Sequence, residues 1–328
     1  MRRFLPDLFT TLLVLCVVLA SVLPATGGAA DILSQAAVVA IGLLFFLHGA
    51  RLSTDVVIAG FLHWRLQLFI LVMTFAVFPA IGVALGFLSP WLVPQPLYLG
   101  LLYVCVLPST VQSSIAFTSM AGGNVPAAIC AASASNIFGI VLTPLLVAAL
   151  FSAGGHIGFS GDILVKIMTQ LFLPFVAGQL LQPFIGNWVR ARKQLLTPFD
   201  RGSILLVVYL AFSDAVVEGI WKTLDLKDLG LIIALDCAIL ALVLTITTIG
   251  SRLFGFRQGD RIAAIFCGSK KSLASGVPMA NVIFAGQSIG AIVLPLMIFH
   301  QIQLIVCAWI ARSIAERAKA AARVAPVA

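Results

Sequence analysis

Charge is what this chain has least of. Only 10% of its 328 residues are Asp, Glu, Lys or Arg, where a soluble domain carries about a quarter. No polar stretch is long enough to enclose a core of its own, which excludes a soluble domain. Cysteine is sparse as well. Cys16, Cys105, Cys130, Cys237, Cys267 and Cys307 all lie within apolar segments, with no CxxC spacing. They read as small hydrophobes rather than disulfide partners or zinc ligands. There is no G-x-S-x-G motif, no phosphate loop and no His/Cys/Asp metal spacing, so an enzyme is not expected. The net charge of +8 comes from scattered basic residues without interleaved aromatics, which argues against nucleic acid as a partner.

What is present is hydrophobic: 61% of the residues and a mean hydropathy of +1.12. Apolar runs of about 20 residues, each able to cross a hydrocarbon core, recur along the chain. The class is therefore all-α polytopic membrane protein, with membrane lipid as its surroundings. Ten spans are predicted, near 5–24, 34–52, 66–88, 94–118, 125–150, 162–186, 203–220, 228–250, 260–284 and 287–312. The links between them hold turn formers, as in "PATGG", "SPWLVPQP", "AGGN", "SAGGH" and "FAGQS". The first segment, with Arg2, Arg3, an apolar run and then small residues, also fits a cleaved signal peptide. The internal repeat described below requires it as a helix.

The positive-inside rule tests the count. With the N-terminus inside, alternate links and the tail collect Arg2, Arg3, Arg51, Arg65, Arg190, Arg192, Lys193, Arg201, Arg252, Arg257, Arg261, Arg312, Arg317, Lys319 and Arg323. The other side holds Lys166, Lys222 and Lys227. This asymmetry places both termini in the cytoplasm, of a bacterial inner (plasma) membrane if the source is bacterial.

Lys270 and Lys271, in "FCGSKKSLASGVP", belong to neither side. If they marked a cytoplasmic loop, the tail and its basic residues would flip outside. If the span begins near Asp260, Lys270 lies about 15 Å in, near the midplane. A lysine there costs about 2.5–3.5 kcal/mol and needs water, an anion or a helix end to compensate it.

"QSSIA" at Gln112–Ala116 lies 158 residues before "KKSLA" at Lys270–Ala274. The same offset carries the first span onto the sixth, the third onto the eighth, the fourth onto the ninth and the fifth onto the tenth. The second meets the seventh with a slip. Five spans per half is an odd number, so residues 156–328 must insert upside down relative to 1–155. Inverted repeats of this kind place a transport site at the midplane on broken helices. Pro108, with Ser109, Thr110, Gln112, Ser113 and Ser114, suits one break. Gly268, Ser269, Ser272, Ser275, Gly276 and Pro278 suit the other. The alternative is that the hydroxyls bond only to their own helix carbonyls.

The stretches "LPSTVQSSIAFTSMAGGNVPAAICAASASNIFGIVLTP" and "CGSKKSLASGVPMANVI" resemble the bile acid:sodium symporter superfamily, and more narrowly its SBF-like branch, over essentially the whole chain. The resemblance implies ten helices in two inverted five-helix repeats, a core and a panel domain, and two crossed discontinuous helices. It implies a small anionic substrate such as a bile acid, a sulfated steroid or a small carboxylate. It also implies sodium as coupling ion, carried here onto Ser113, Ser114, Ser133 and Asn136, with no other cofactor. The acidic residue and amides that the pattern places on the ninth helix are absent. The lysines standing there could balance helix ends in place of sodium, hold the anion, or change protonation during the cycle. Asp236 is a candidate charge partner for them. Asp214 and Glu218, one turn apart, are further candidates, with an interfacial position near the span end favoured for Glu218, and His48 and His300 suit interhelical hydrogen bonds.

The expected function is a secondary active transporter of an organic anion, coupled to sodium or protons, working by alternating access. Its binding residues would be Gln112, Ser113, Ser114, Ser133, Asn136, Lys270, Lys271 and Ser272. The chain would act as a monomer or homodimer. A cation/proton antiporter and a non-transporting membrane regulator are the alternatives. The antiporter needs an acid at the crossing, and neither broken segment contains one.

Overall fold

The computed structural model describes residues 8–51, 63–89, 91, 93–153, 165–219, 225–284 and 289–324. Arg2, Arg3, Lys222 and the links at 154–164 and 285–288 lie outside the described residues. Among those described, all regular structure is helical. Helix α1 covers Leu8–Val22, α2 Gly27–Arg51 and α3 Trp64–Leu88. Next come α4 Gln95–Val106, α5 Gln112–Met120 and α6 Val125–Ala153. The second half holds α7 Leu173–Ala191, α8 Lys193–Val217, α9 Leu226–Leu253, α10 Gln258–Gly268, α11 Leu273–Ile283 and α12 Ile289–Val324. Six of these are long and apolar enough to cross a membrane. The chain is an integral membrane protein.

Every predicted span meets a helix, and the two predicted as broken are broken. The span expected at 94–118 is α4 plus α5, and that at 260–284 is α10 plus α11. The seventh span begins ten residues earlier than predicted, at Lys193. Its first turns read as a cytoplasmic link because of Lys193 and Arg201. In the fold, Arg51 on α2 bonds to Asp200. Leu196 and Phe199 pack against buried Leu47, Ala50 and Val189. A charge pair and an apolar stripe together hold these turns helical, and a slip of about two turns still separates α2, carried forward by the offset, from α8. Helix α12 also outruns its prediction, through "AERAKAAAR", because alanine is the strongest helix former.

Two helices carry a proline-linked irregularity. In α3 the winding loosens to a π-helix over Met73–Val77, where the Phe78 amide reaches back five residues to the Met73 carbonyl. Pro79 follows and has no amide hydrogen. The carbonyl of Thr74 therefore has neither an α nor a π partner. The same Met-Thr-to-Pro spacing recurs before α7, where Met168–Phe172 is π-wound and the Leu173 amide reaches Met168.

The helices pack α2 along α7 and α1 along α8, while α4 packs on α12 and α9 on α10 and α12. The α2–α7 crossing is so close that a Cβ at Gly49 would lie 2.1 Å from the Phe175 carbonyl oxygen. One at Gly178 would lie 2.0 Å from that of Phe46. Glycine here lets two backbones touch, as is usual where lipid supplies no hydrophobic drive between helices.

Candidate functional site

The two breaks meet inside the fold, and each satisfies the other's backbone. Helix α4 ends at Val106, and Leu107 is extended, as a residue before proline must be. A helix end leaves orphan carbonyls, and most of those here find a donor from elsewhere in the chain. The Cys105 and Leu107 carbonyls accept from Lys271 Nζ at 2.8 and 2.7 Å. That of Val106 accepts from Thr143 Oγ1 at 2.9 Å. The Pro108 carbonyl accepts from the Ser272 amide at 2.9 Å, and that of Ser109 from Asn136 Nδ2 at 2.8 Å. The Ser109 amide donates to Ser135 Oγ at 2.9 Å.

The second break mirrors this. Helix α10 ends at Gly268, and α11 begins behind Ser272, whose Oγ accepts from the Ser275 amide at 3.2 Å. The Ile265 carbonyl accepts from Ser269 Oγ at 2.6 Å, that of Phe266 from Ser114 Oγ at 2.9 Å and that of Cys267 from Ser109 Oγ at 2.6 Å. Gln303 on α12 accepts from the Lys271 amide through Oε1 and donates to the Lys271 carbonyl through Nε2, both at 2.8 Å. The other Nε2 hydrogen points at His300 Nδ1, 2.8 Å away.

The sequence offset of 158 organises these contacts. It carries Ser109 onto Cys267, which bond to each other. It carries Pro108 onto Phe266 and Ser114 onto Ser272. The Ser272–Pro108 and Ser114–Phe266 bonds are therefore images of one another.

Of the expected break residues, Pro108 and Gly268 stand at helix ends. Gly276 and Pro278 do not break a helix; both are buried inside α11. Gly276 serves packing instead. A Cβ there would lie 2.6 Å from Leu107 and 2.7 Å from Leu296, and its carbonyl accepts from Tyr103 Oη at 2.7 Å.

Lys270 and Lys271 are both fully buried, and their surroundings differ. Lys271 Nζ donates to three carbonyls, those of Thr74 at 2.9 Å, Cys105 and Leu107. Three acceptors match the three donors of an ammonium. Two of them close the C-terminal end of α4, where the helix dipole favours a cation. The third is the carbonyl stranded by Pro79. The Phe78 ring faces the same nitrogen at 4.0 Å. Lys270 Nζ has one hydrogen bond, to Ser113 Oγ at 3.3 Å, and lies over the Phe117 ring at 4.4 Å and that of Phe266 at 5.7 Å.

Asp236 is not a partner of either lysine. It is fully buried, and neither carboxylate oxygen has a hydrogen bond. The donors of Lys271 are already consumed by carbonyls. Asp214 and Glu218 are exposed at the end of α8, as an interfacial position requires. His48 Nδ1 bonds to the Leu44 carbonyl of its own helix at 2.8 Å.

In front of the breaks lies a cavity of about 680 Å³. One wall comes from the breaks and α6, with Thr110, Gln112, Ser113, Ser133, Asn136, Ser272 and Ser275. The other comes from α2, α7 and α8, with His48, Arg51, Arg190, Asp200 and Arg201. Ser114, Lys270 and Lys271 are not on the wall but behind it. Asn136 couples the two breaks, because its Oδ1 accepts from Ser275 Oγ at 2.8 Å while its amide holds Ser109. Sequence reasoning missed Gln303 and Thr143. Gln303 left a signal as an amide in the apolar run "IFHQIQLIV". Thr143 left none, since hydroxyls in helices commonly bond to their own turn.

Residues 7–316 match the SBF-like CPA transporter family. The Pseudomonas aeruginosa protein PA2026 is 54% identical over 317 residues, covering 96% of this chain and 95% of that one. An Escherichia coli (strain K12) protein named "Putative symporter YfeH" is 51% identical over 306 residues, covering 93% and 92%. The mouse (Mus musculus) sodium/bile acid cotransporter 7 is 30% identical over 273 residues, covering 81% and 79%.

Proposed function

The chain belongs to the SBF-like CPA transporter family, and from that premise we propose that it is a secondary active transporter of an organic anion. The observation that carries this reading is the cavity. Its inner wall is built from two interrupted helices, and among the described residues its outer wall holds Arg51, Arg190 and Arg201 against one acid, Asp200. A net positive, partly apolar chamber suits a carboxylate or sulfate on a hydrophobic body. Unwound backbone at membrane depth is tolerated where it lines such a chamber or is buried in protein.

The image-related bonds across the breaks support two inverted repeats, 1–155 and 156–328, with a core of α3–α6 and α9–α12 and a panel of α1, α2, α7 and α8. Substrate sits between them, and the two domains move against each other around it. Arg51, Arg190 and Arg201 stand on the side that the positive-inside rule assigns to the cytoplasm, so the cavity is open inward. The printed names of the relatives, a symporter and a sodium/bile acid cotransporter, suggest cation coupling and a bile-acid-like or small carboxylate cargo. The antiporter reading needs an acid at the crossing, and Asp236 bonds to neither lysine.

The test is uptake into proteoliposomes of a panel of bile acids, sulfated steroids and small carboxylates, under imposed proton and sodium gradients. Uptake of one class above empty vesicles, lost in Asn136→Leu, is the expected result. A panel that shows no protein-dependent flux under either gradient refutes the proposal.

A further inference from the structure

We propose that the ammonium of Lys270 stands in the place of the sodium ion expected at Ser113, Ser114, Ser133 and Asn136, so that this transporter works without sodium at that position. With Lys270 in place, the donor oxygens do not fit a sodium ion. Ser113 Oγ already accepts from Lys270 Nζ at 3.3 Å. Ser114 Oγ donates to the Phe266 carbonyl and touches Thr110 Oγ1 at 3.1 Å. Asn136 Oδ1 is taken by Ser275, and its amide points hydrogens at carbonyls. A hard cation needs oxygen lone pairs, and with the lysine in place Ser113 Oγ and Asn136 Oδ1 already spend one each on another donor.

Electrostatics reinforces the mismatch. Among the described residues, the ion pair formed is Arg51–Asp200, so no carboxylate neutralises Lys270. Its charge rests on the faces of Phe117 and Phe266, an arrangement that stabilises a cation. A sodium ion on Ser113 would lie within roughly 6 Å of the ammonium. At an effective dielectric of about 20, repulsion over that distance weakens its binding by about a hundredfold. The neighbouring Lys271 already supplies a cation to the carbonyl end of α4.

The inference rests on reading the chain as a transporter of this family, but its test needs no substrate. The purified full chain is melted in sodium, potassium and choline chloride at equal ionic strength, as wild type, Lys270→Gln and Lys270→Met. The wild type is expected to melt at one temperature in all three salts. The variants are expected to gain a saturable, sodium-specific rise, since removing the charge restores about a hundredfold in affinity. A sodium-specific rise in the wild type overturns the proposal. Variants as indifferent to sodium as the wild type also overturn it, because the lysine then excludes nothing. If neither variant folds, the wild-type comparison still decides. Absence of anion flux in vesicles would instead strike the transport reading and leave these melting curves intact.

Discussion

Replacing Lys271 by methionine keeps length and approximate volume but removes the ammonium. Three buried carbonyls, on Thr74, Cys105 and Leu107, then lose their donor. An unsatisfied buried polar group costs about 1–3 kcal/mol, and deleting one partner of a buried charged set costs about 3–5 kcal/mol. Partial relaxation keeps the sum below three full penalties, so the expected loss is about 3–5 kcal/mol, a large part of a typical total of about 5–15 kcal/mol. Lys270→Met removes one hydrogen bond of 3.3 Å and two ring contacts, worth about 1–2 kcal/mol. Adjacent residues of one type are thus expected to differ severalfold in effect. The assay is thermal unfolding in detergent, read by the fraction that stays monodisperse. Lys271→Arg is not expected to rescue, because a planar guanidinium cannot direct three donors from a single nitrogen to three carbonyls. Equal melting of the two methionine variants, or a larger loss at Lys270, would refute the assignment of Lys271 as the clamp of the α4 end.

Gly178→Val places a side chain where a Cβ already lies 2.0 Å from the Phe46 carbonyl oxygen. The α2–α7 contact must open, at more than the about 1–3 kcal/mol of ordinary overpacking. Size-exclusion profiles should collapse for this variant and stay sharp for Gly202→Val, where nothing lies within 4 Å. Asp236→Leu is expected to raise the melting temperature, because it removes two unpartnered buried oxygens that cost about 1–3 kcal/mol. Asp236→Asn should not, since its amide would be equally stranded; a lower melting temperature for the leucine variant would show that the carboxylate has a partner.

Much of this fold was legible because lipid leaves few options. Runs of apolar residues locate helices, and Pro108 and Gly268 stop two of them for local reasons that any reader of the sequence can state. What was not legible is long-range. Gly276 and Pro278 carry the same local signals as the true break, yet they sit inside α11, where Gly276 is fixed by Leu107, Leu296 and Tyr103. The start of α8 was hidden because Lys193 and Arg201 read as link residues until the Arg51–Asp200 pair is seen. In the site, the serines and lysines announced themselves by being polar in an apolar run. Their roles did not, because a donor's purpose depends on which carbonyl is stranded. The expected pairing of Asp236 with a lysine failed at Lys271 for that reason: backbone oxygens, invisible in a sequence, had already taken the charge.

The π-wound turn in α3 has an evolutionary consequence. Pro79 strands the Thr74 carbonyl, and Lys271, nearly two hundred positions further along, meets it. Neither residue has its full value without the other. Restoring an amide hydrogen at position 79 would give that carbonyl a second suitor and make the lysine more dispensable; losing the lysine would make the proline a burden. In the descendants of this chain the two are expected to be kept or lost as a pair, and a substitution tolerated at one position depends on what stands at the other.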